Sequence, residues 1–206
     1  MGVTTQSLNF IQKWIKPEYK SICEFGDQQF MSCFPYDELS YTKIYWKNKG
    51  WEYLSIDLNG HGNSLMIDLN KDVIIGKEFD VVSDFGTSEH IADFYMAFKN
   101  ADKLCNIGGR MIHILPADNH WPNHGSWRAR RPFFLKLGKA QKYIIYDVHE
   151  DPTQIGGKDS DQIYIVYEKM IKNQFLSREE FDTFGAILKY PVETYYIGKL
   201  GGGRLD

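Results

Sequence analysis

Acidic residues stand at the ends of three apolar, strand-like segments of the chain. Asp57 ends the segment 53–57, Asp68 ends the segment 64–68, and Asp84 stands near the end of the segment 78–85. Apolar segments of this length that alternate with helical patterns are typical of a parallel sheet with crossover helices. Ligands of such sheets bind at the carboxyl ends of the strands, near the point where the strand order reverses. We therefore predict that these carboxylates belong to a ligand-binding site.

The first strand-like segment, 20–25, leads into a turn with a single glycine. Glu24 and Phe25 end the segment and Gly26 follows, but Gln28 and Phe30 stand where a nucleotide-binding turn usually carries further glycines. Several glycines are needed where a dinucleotide pyrophosphate lies against the backbone. The turn therefore favours either a ligand without phosphate or a plain connection from strand to turn.

A polar and aromatic segment, PADNHWPNHGSWRARRPFF, follows the predicted strand 109–116. It lies at the rim of the sheet, where an acceptor molecule would bind. Arginine presents paired donors to planar anions, so its arginines predict a clamp for a carboxylate or phosphate. A solvated helix start explains the same arginines equally well. The predicted acceptor-binding residues are Trp121, Trp127, Arg128, Arg130 and Arg131.

Histidines in the same segment suggest a group that removes a proton. His124 stands beside a glycine and among aromatic residues, and an imidazole with a pKa near ~6.5 can accept a proton at neutral pH. A purely structural role in the loop remains open for it. A metal site formed by Asp118, His120 and His124 is less favoured, because Pro122 disfavours the helical turn that this histidine spacing requires. We therefore predict no metal ligand.

The composition is that of an ordinary globular protein, with 43% hydrophobic and 25% charged residues among 206. We predict one domain over residues 1–206, with a core at about 18–170 and a C-terminal helix and tail at 171–206. The net charge of -3 gives no reason to expect nucleic acid as a partner. The chain shows no signal peptide and no apolar run near the ~20 residues that cross a bilayer, so we expect a cytoplasmic protein without a membrane partner.

Two helices and a hairpin are also predicted. One helix follows Gly86, a second runs from Asp37 to Gly50, and Ser177 has the spacing of a capping residue for a third near the C-terminus. The segments 143–150 and 162–170 have no helix between them, so they should pair antiparallel. The predicted apolar face of the first helix is Ile91, Phe94, Tyr95, Phe98, Ala101 and Cys105.

As an ensemble, these segments resemble the class I S-adenosylmethionine-dependent methyltransferases. Glu24 and Gly26 fit the start of the family's first motif, an acid followed by Gly-x-Gly-x-Gly. FDVVSDFGTSEHI resembles the motif at the fourth strand, and NIGGRMIHILP resembles the Gly-Gly turn into the fifth. The resemblance covers residues 18–170. It implies an α/β, Rossmann-like fold with a seven-stranded, mostly parallel sheet, helices on both faces and a C-terminal antiparallel hairpin.

The resemblance also implies S-adenosylmethionine as the cofactor and methyl transfer to an oxygen or nitrogen of a small acceptor. Asp57 matches the acid that holds both ribose hydroxyls, and Asp68 matches the acid that faces the adenine amino group. Gln28 could hydrogen-bond the methionine carboxylate or amine, and His90 is the second candidate base. The implied cofactor contacts are Glu24, Phe25, Gly26, Gln28, Asp57, Leu58, Asp68, Leu69, Asp84 and Phe85.

Two other functions remain open. A non-catalytic binding or scaffold protein of the same fold is favoured by the missing glycines. An NAD-dependent oxidoreductase ranks third, because its ribose-binding acid lies about 20 residues after the glycine turn. Asp57 lies 31 residues after Gly26 in this chain.

Overall fold

A computed structural model describes residues 2–31, 41–118, 120, 124–151, 154–155, 158–159, 161–185 and 187–189. In chain order, the elements are β1 (Gly2–Val3), α1 (Thr5–Trp14), β2 (Ser21–Phe25), β3 (Gln29–Phe30), α2 (Thr42–Asn48), β4 (Glu52–Asp57), β5 (Leu65–Met66), β6 (Phe79–Phe85), α3 (Phe94–Leu104), β7 (Cys105–Pro116), β8 (Trp127–Ala129), α4 (Arg131–Ala140), β9 (Ile144–Asp151), β10 (Gln154–Ile155), β11 (Lys158–Asp159), β12 (Gln162–Glu168), α5 (Arg178–Thr183) and β13 (Ile187–Lys189).

The central sheet has seven strands in the order β5-β4-β2-β6-β7-β12-β9. Neighbours from β5 to β7 are parallel. By contrast, β12 runs antiparallel to both β7 and β9. This topology confirms the predicted α/β fold with a mostly parallel sheet and a C-terminal antiparallel hairpin.

The strand order reverses at β2. β4 and β5, the next strands of this sheet along the chain, lie on one side of it, and β6 and β7 lie on the other. The crevice outside such a reversal is where open parallel sheets bind ligands. The turns after β2, β4 and β6 therefore bound the candidate site.

Helices cover both faces of the sheet, as predicted. On one face an apolar cluster includes Phe98 of α3, Phe133 of α4 and Phe181 of α5. On the other face Ile11 of α1 and Trp46 of α2 belong to a second cluster. Within the described ranges, no helix combines the length and the apolar character needed to cross a membrane.

The boundary between α3 and β7 differs from the prediction. α3 begins at Phe94, after a separate 3-10 turn at Ser88–His90, and the side chain of Asp93 caps it. The placement of Cys105 on the face of this helix was wrong, because Cys105 begins β7 and pairs with Phe79. Cys105 is buried in the same apolar cluster as the helix, which explains why the helical pattern extended to it.

Among the described residues, three strand pairs outside the central sheet are absent from the sequence prediction, one of them β10 with β11 in the predicted loop. β1 runs parallel to β3, and β13 runs antiparallel to β8. They bring the N-terminal segment to the turn after β2 and residues 187–189 to the loop after β7. The Ser177 cap of α5 is confirmed, since its side chain accepts a hydrogen bond from the Glu180 amide. Asp37 lies outside the described residues.

Glu24 lies near the end of β2, but its carboxylate points beneath α2. Oε1 accepts a hydrogen bond from Trp46 Nε1 at 3.0 Å, and Oε2 accepts from the Tyr53 hydroxyl at 2.8 Å and from the Thr42 hydroxyl. Burial raises the Glu24 pKa to about 7, although the hydrogen bonds from Thr42, Tyr53 and Trp46 work in the opposite direction. Glu24 therefore holds α2 and β4 to the central strand.

We predict that Glu24→Gln removes a pH dependence from the stability. The folded-state pKa of about 7 exceeds the ordinary value of 4.5. The folded protein therefore binds more protons between these values, and the free energy of unfolding falls as pH rises through this window. Glu24 accounts for up to about 3 kcal/mol of that fall, at about 1.4 kcal/mol per pKa unit.

Urea unfolding of wild type and Glu24→Gln from pH 4.5 to 8 measures this difference. Glu52→Gln, an exposed position on β4, is the control and should keep the wild-type slope. If the free energy of unfolding changes with pH by the same amount in wild type and in Glu24→Gln, the prediction is contradicted.

Candidate functional site

Gln28 bridges the turns that follow β2 and β6. Its Nε2 donates to the Phe25 carbonyl at 2.9 Å and to the Phe85 carbonyl at 3.3 Å, and it lies 3.4 Å from Thr87 Oγ1. The Thr87 hydroxyl also donates to the Phe25 carbonyl, at 2.7 Å. Gln28 is 1% exposed, and its Oε1 has no hydrogen-bond partner within the described chain. The side chain therefore closes the gap between two strand ends and leaves one buried acceptor unsatisfied.

Asp57, at the end of β4, holds the glycine turn against its own strand. Its Oδ2 accepts the amide hydrogen of Asp27 at 2.8 Å, and its Oδ1 accepts that of Asn59 at 3.2 Å. Gly26 has a φ of 81°, and its amide donates to the Ile56 carbonyl at 2.8 Å. A carboxylate oxygen can accept two hydrogen bonds, so Asp57 retains acceptor capacity toward a ligand.

The carboxyl group of Asp27 lies near the Asp57 carboxylate. Burial and the nearby Asp57 charge raise the Asp27 pKa to about 6, against a hydrogen bond from Ser64 that lowers it. Its side chain packs against Gly62, where an added Cβ would lie 2.4 Å from Asp27 Oδ1. Gly62 has a φ of 58°, so both its backbone and this close approach require glycine.

Asp68 lies two residues beyond β5 and is half-buried. Its Oδ1 accepts the amide hydrogen of Asn70 at 2.9 Å and the Asn70 side-chain amide at 2.8 Å. Burial alone would raise the Asp68 pKa, but these hydrogen bonds and the Lys71 ammonium hold it below its ordinary value. Leu69 is buried beside it, whereas Leu58 is exposed. Asp68 is thus a charged acceptor at the strand end next to Asp57.

Asp84 is fully buried at the end of β6 and fixes the turn that follows. Its Oδ1 accepts the amide hydrogens of Thr87 and Ser88, both at 3.1 Å. Its Oδ2 accepts from the Ser88 hydroxyl at 2.5 Å and lies 3.0 Å from His113 Nδ1. All four contacts are internal, so the structure places Asp84 as a support for the turn.

A cavity of about 170 Å³ opens beside this turn. The ends of β6 and β7 form one wall through Phe85 and Ile114, and the N-terminal segment forms another. The lining residues are Gly2, Thr4, Ser7, Met31, Phe85, Gly86, Glu89, Ile114, Pro116, His120, His124 and Gln162. Apolar walls with a few polar groups can hold part of a small molecule.

Glu89, His90 and His124 converge at the edge of this cavity. Oε1 of Glu89 lies 3.6 Å from His90 Nε2 and 3.5 Å from His124 Nε2. The two imidazole rings meet edge to face at 5.0 Å, and the His120 ring lies 4.7 Å from that of His124. The structure therefore brings both predicted candidate bases together around one carboxylate.

The protonation states in this cluster are set by burial and charge. Burial would raise the pKa of Glu89, but His90 and His124 outweigh it and hold that pKa below its ordinary value. Burial lowers the pKa of His90, despite the Glu89 charge. Burial, followed by the charges of His124 and Arg128, lowers the His120 pKa to about 4. Glu89 is therefore ionised at neutral pH and His120 is neutral.

The loop after β7 is clamped onto the turn that carries Glu89. Ser126 donates its amide hydrogen to the Glu89 carbonyl at 2.6 Å, and Trp127 Nε1 donates to the Ile91 carbonyl at 2.8 Å. Gly125 has a φ of 74°, and an added Cβ would lie 2.5 Å from Glu89 Cγ. The residues that directly follow His124 therefore hold it beside Glu89.

The three arginines of this segment contact different partners. Arg128 is buried and donates to the Trp127 carbonyl at 3.0 Å. Arg130 pairs with Asp118, and Arg131 Nε donates to the Val148 carbonyl at 2.8 Å. The described contacts do not gather the three guanidinium groups at one anion site. Trp121 lies outside the described residues.

Sequence reasoning missed two parts of this site. Glu89 was noted only as part of the motif FDVVSDFGTSEHI, and no role of its own was predicted for it. The N-terminal segment, which lines the cavity through Thr4 and Ser7, was not predicted to take part in the site.

We predict that Gln28→Ala lowers the free energy of unfolding by about 1–3 kcal/mol. The substitution removes the donor of the buried Phe85 carbonyl and opens a void between two strand ends. Chemical denaturation measures the change. Gln6→Ala is the matched control, because Gln6 is exposed and donates only to Asp151 in the described contacts; it should change stability by less than about 0.5 kcal/mol. Equal effects of the two substitutions would contradict the bridging role of Gln28.

Comparison with known proteins identifies the fold. The sequence matches no protein-family model and no curated protein. Among solved structures, an S-adenosylmethionine-dependent methyltransferase from Methanosarcina mazei aligns with a TM-score of 0.56 at 10% sequence identity. The alignment covers 79% of this chain and 98% of that chain.

Two further solved structures carry S-adenosylhomocysteine. The 1,6-didemethyltoxoflavin-N1-methyltransferase of Burkholderia thailandensis aligns with a TM-score of 0.52 at 13% identity, over 73% of this chain and 71% of that chain. An O-methyltransferase from a trans-AT PKS multienzyme of Brevibacillus brevis aligns with a TM-score of 0.51 at 12% identity, over 82% and 72%. The chain therefore has the Rossmann-like fold of the class I S-adenosylmethionine-dependent methyltransferases, as the resemblance of its motifs predicted.

Proposed function

We propose that this protein transfers a methyl group from S-adenosylmethionine to an oxygen or nitrogen atom of a small acceptor. The observation that carries the proposal is the pair of half-buried carboxylates, Asp57 and Asp68, at the ends of neighbouring strands beside the Gly26 turn. The fold and the position of these acids at its strand reversal support the same ligand.

The residues at the strand ends fit the chemical groups of this cofactor. Asp57 has acceptor capacity for ribose hydroxyls, and Asp68 is an acceptor for the adenine amino group. Gln28 Oε1 is a buried acceptor without a hydrogen-bond partner in the described ranges, which suits the ammonium of the methionine part. The turn at Gly26 needs no further glycines, because the cofactor carries no phosphate to lie against the backbone.

The cofactor supplies a methyl group on a sulfonium centre, so the protein contributes mainly alignment and a suitable electrostatic environment. The cavity beside Phe85 and Gly86 adjoins the Gln28 bridge, and it would hold the acceptor. A hydroxyl acceptor must also lose a proton, and the cluster of Glu89, His90 and His124 beside the cavity is the polar group nearest to it. Arg128, buried close to these histidines, would favour an acceptor with a negative charge.

A non-catalytic protein of the same fold is the second candidate. The closed Gln28 bridge favours it, since the bridge fills part of the gap that a cofactor would enter. Strong binding of S-adenosylhomocysteine without methyl transfer to any metabolite of a cell extract would move this candidate to first place.

We predict that Asp57→Ala weakens S-adenosylhomocysteine binding about 10- to 100-fold. A hydrogen bond to a charged group contributes about 1.5–3 kcal/mol, and 1.4 kcal/mol is tenfold in affinity. Isothermal titration calorimetry measures the affinity, and thermal melting confirms that the variant is folded. Wild type should bind S-adenosylhomocysteine more tightly than NAD in the same assay.

Asp72→Ala is the matched control for this substitution. Asp72 is an exposed acid that pairs with Lys99, and its loss should leave the affinity unchanged. Comparable affinity in wild type and folded Asp57→Ala, or a preference for NAD, would contradict the assignment.

A further inference from the structure

The side chains of Glu89, His90 and His124 are arranged as ligands around one point. Their ligand atoms all lie within 4.8 Å of one another. Two ligands at about 2.1 Å from a zinc ion in tetrahedral geometry lie about 3.4 Å apart. The separations of Glu89 Oε1 from the two Nε2 atoms, 3.6 Å and 3.5 Å, are close to that value.

The carboxylate of Glu89 is buried, and its nearest polar neighbours are the His90 and His124 rings at 3.6 Å and 3.5 Å. Glu89 is 1% exposed, and neither of its oxygens accepts a hydrogen bond within the described part of the chain. Buried carboxylates are normally paired, hydrogen-bonded or bound to a metal, because burial removes their hydration. A cation between Glu89 and the two imidazoles supplies the missing interaction.

The backbone holds these ligands in place. The Asp84 carboxylate fixes the 3-10 turn that carries Glu89 and His90, through the amides of Thr87 and Ser88. The amide of Ser126 fixes the segment that carries His124. Rigid placement of this kind is what a metal site requires of its supporting residues.

A general base oriented by Glu89 fits the geometry less well. A carboxylate that orients a catalytic imidazole accepts a hydrogen bond from one ring nitrogen at about 2.6–3.2 Å, and the other nitrogen faces the substrate. In this cluster the Nε2 atoms of both His90 and His124 are directed to the same oxygen at longer distances. This arrangement matches two imidazole ligands and one carboxylate ligand around a single metal ion.

We propose that Glu89, His90 and His124 bind a divalent transition-metal ion, with Zn²⁺ as the first candidate. Two imidazoles and one carboxylate form a ligand set that suits zinc or ferrous iron and leaves a coordination position for a substrate. The site differs from the cluster of Asp118, His120 and His124 that the sequence suggested and that Pro122 disfavours. His120 lies against His124, and its ring nitrogen Nδ1 is 3.3 Å from the Asp161 carbonyl.

The remaining coordination position faces the cavity, since Glu89 and His124 both line it. A hydroxyl or carboxylate oxygen of the acceptor can occupy that position, where the cation lowers the pKa of a bound hydroxyl. This role rests on the proposed methyl transfer, whereas metal binding itself does not. In the metal-bound protein, His124 acts as a ligand and not as the base.

Zinc binding is tested on the untagged, chelator-treated protein without any cofactor. Calorimetric titration should show one equivalent of Zn²⁺ bound to wild type, and Co²⁺ at the same site should give visible absorbance bands. His124→Asn and Glu89→Gln should each weaken Zn²⁺ binding by at least about tenfold. Saturating Zn²⁺ should raise the Tm of wild type more than that of His124→Asn.

His149→Asn is the matched control, because His149 lies on β9 and pairs with Asp147 at 2.8 Å. It should bind Zn²⁺ as wild type does. No stoichiometric Zn²⁺ in wild type, or equal affinity in His124→Asn and His149→Asn, would overturn the proposal. If Glu89→Gln does not fold, the Zn²⁺ affinity of His124→Asn relative to wild type decides the test. Zinc binding with the predicted variant effects, together with no S-adenosylhomocysteine binding, would sustain the metal site and refute the proposed function.

Discussion

The buried carboxylate of Asp84 fixes the turn on which both halves of the site depend. It accepts the amide hydrogens of Thr87 and Ser88 and contacts His113 on the neighbouring strand. Thr87 then contacts the Gln28 bridge, while the following residues of the turn, Glu89 and His90, enter the histidine cluster. One internal carboxylate thus supports both the crevice at the strand ends and the cavity lined by Glu89 and His124.

The fold could be predicted from the sequence because each strand of the central sheet carried its own signal. The central strand β12, for example, contains the apolar run IYIVY, and a sheet buried on both faces requires such runs. The pairs β1 with β3 and β8 with β13 involve only two or three residues in each strand. Such short strands cannot show a pattern of alternating apolar and polar residues. These pairs depend on contacts between distant parts of the chain.

The candidate site was predictable in part. Strand-end acids are visible in a sequence because the end of an apolar run marks the sheet edge, which located Asp57 and Asp68. The direction of a side chain at such an end is not visible in the same way. Glu24, from the same kind of position, points into the core because Trp46 and Tyr53 offer it donors there. The arginines of the segment 128–131 separate because β8 and the start of α4 direct them to different neighbours.

The central claim is that the strand ends around the Gln28 bridge bind S-adenosylmethionine. A crystal structure of the protein with S-adenosylhomocysteine at saturating concentration tests it most directly. The account predicts ligand density across the ends of β2, β4 and β6, with the ribose oxygens within hydrogen-bonding distance of Asp57 and the Gln28 side chain in contact with the ligand. Strand ends without ligand density at that concentration, or ligand bound elsewhere on the protein, would contradict it.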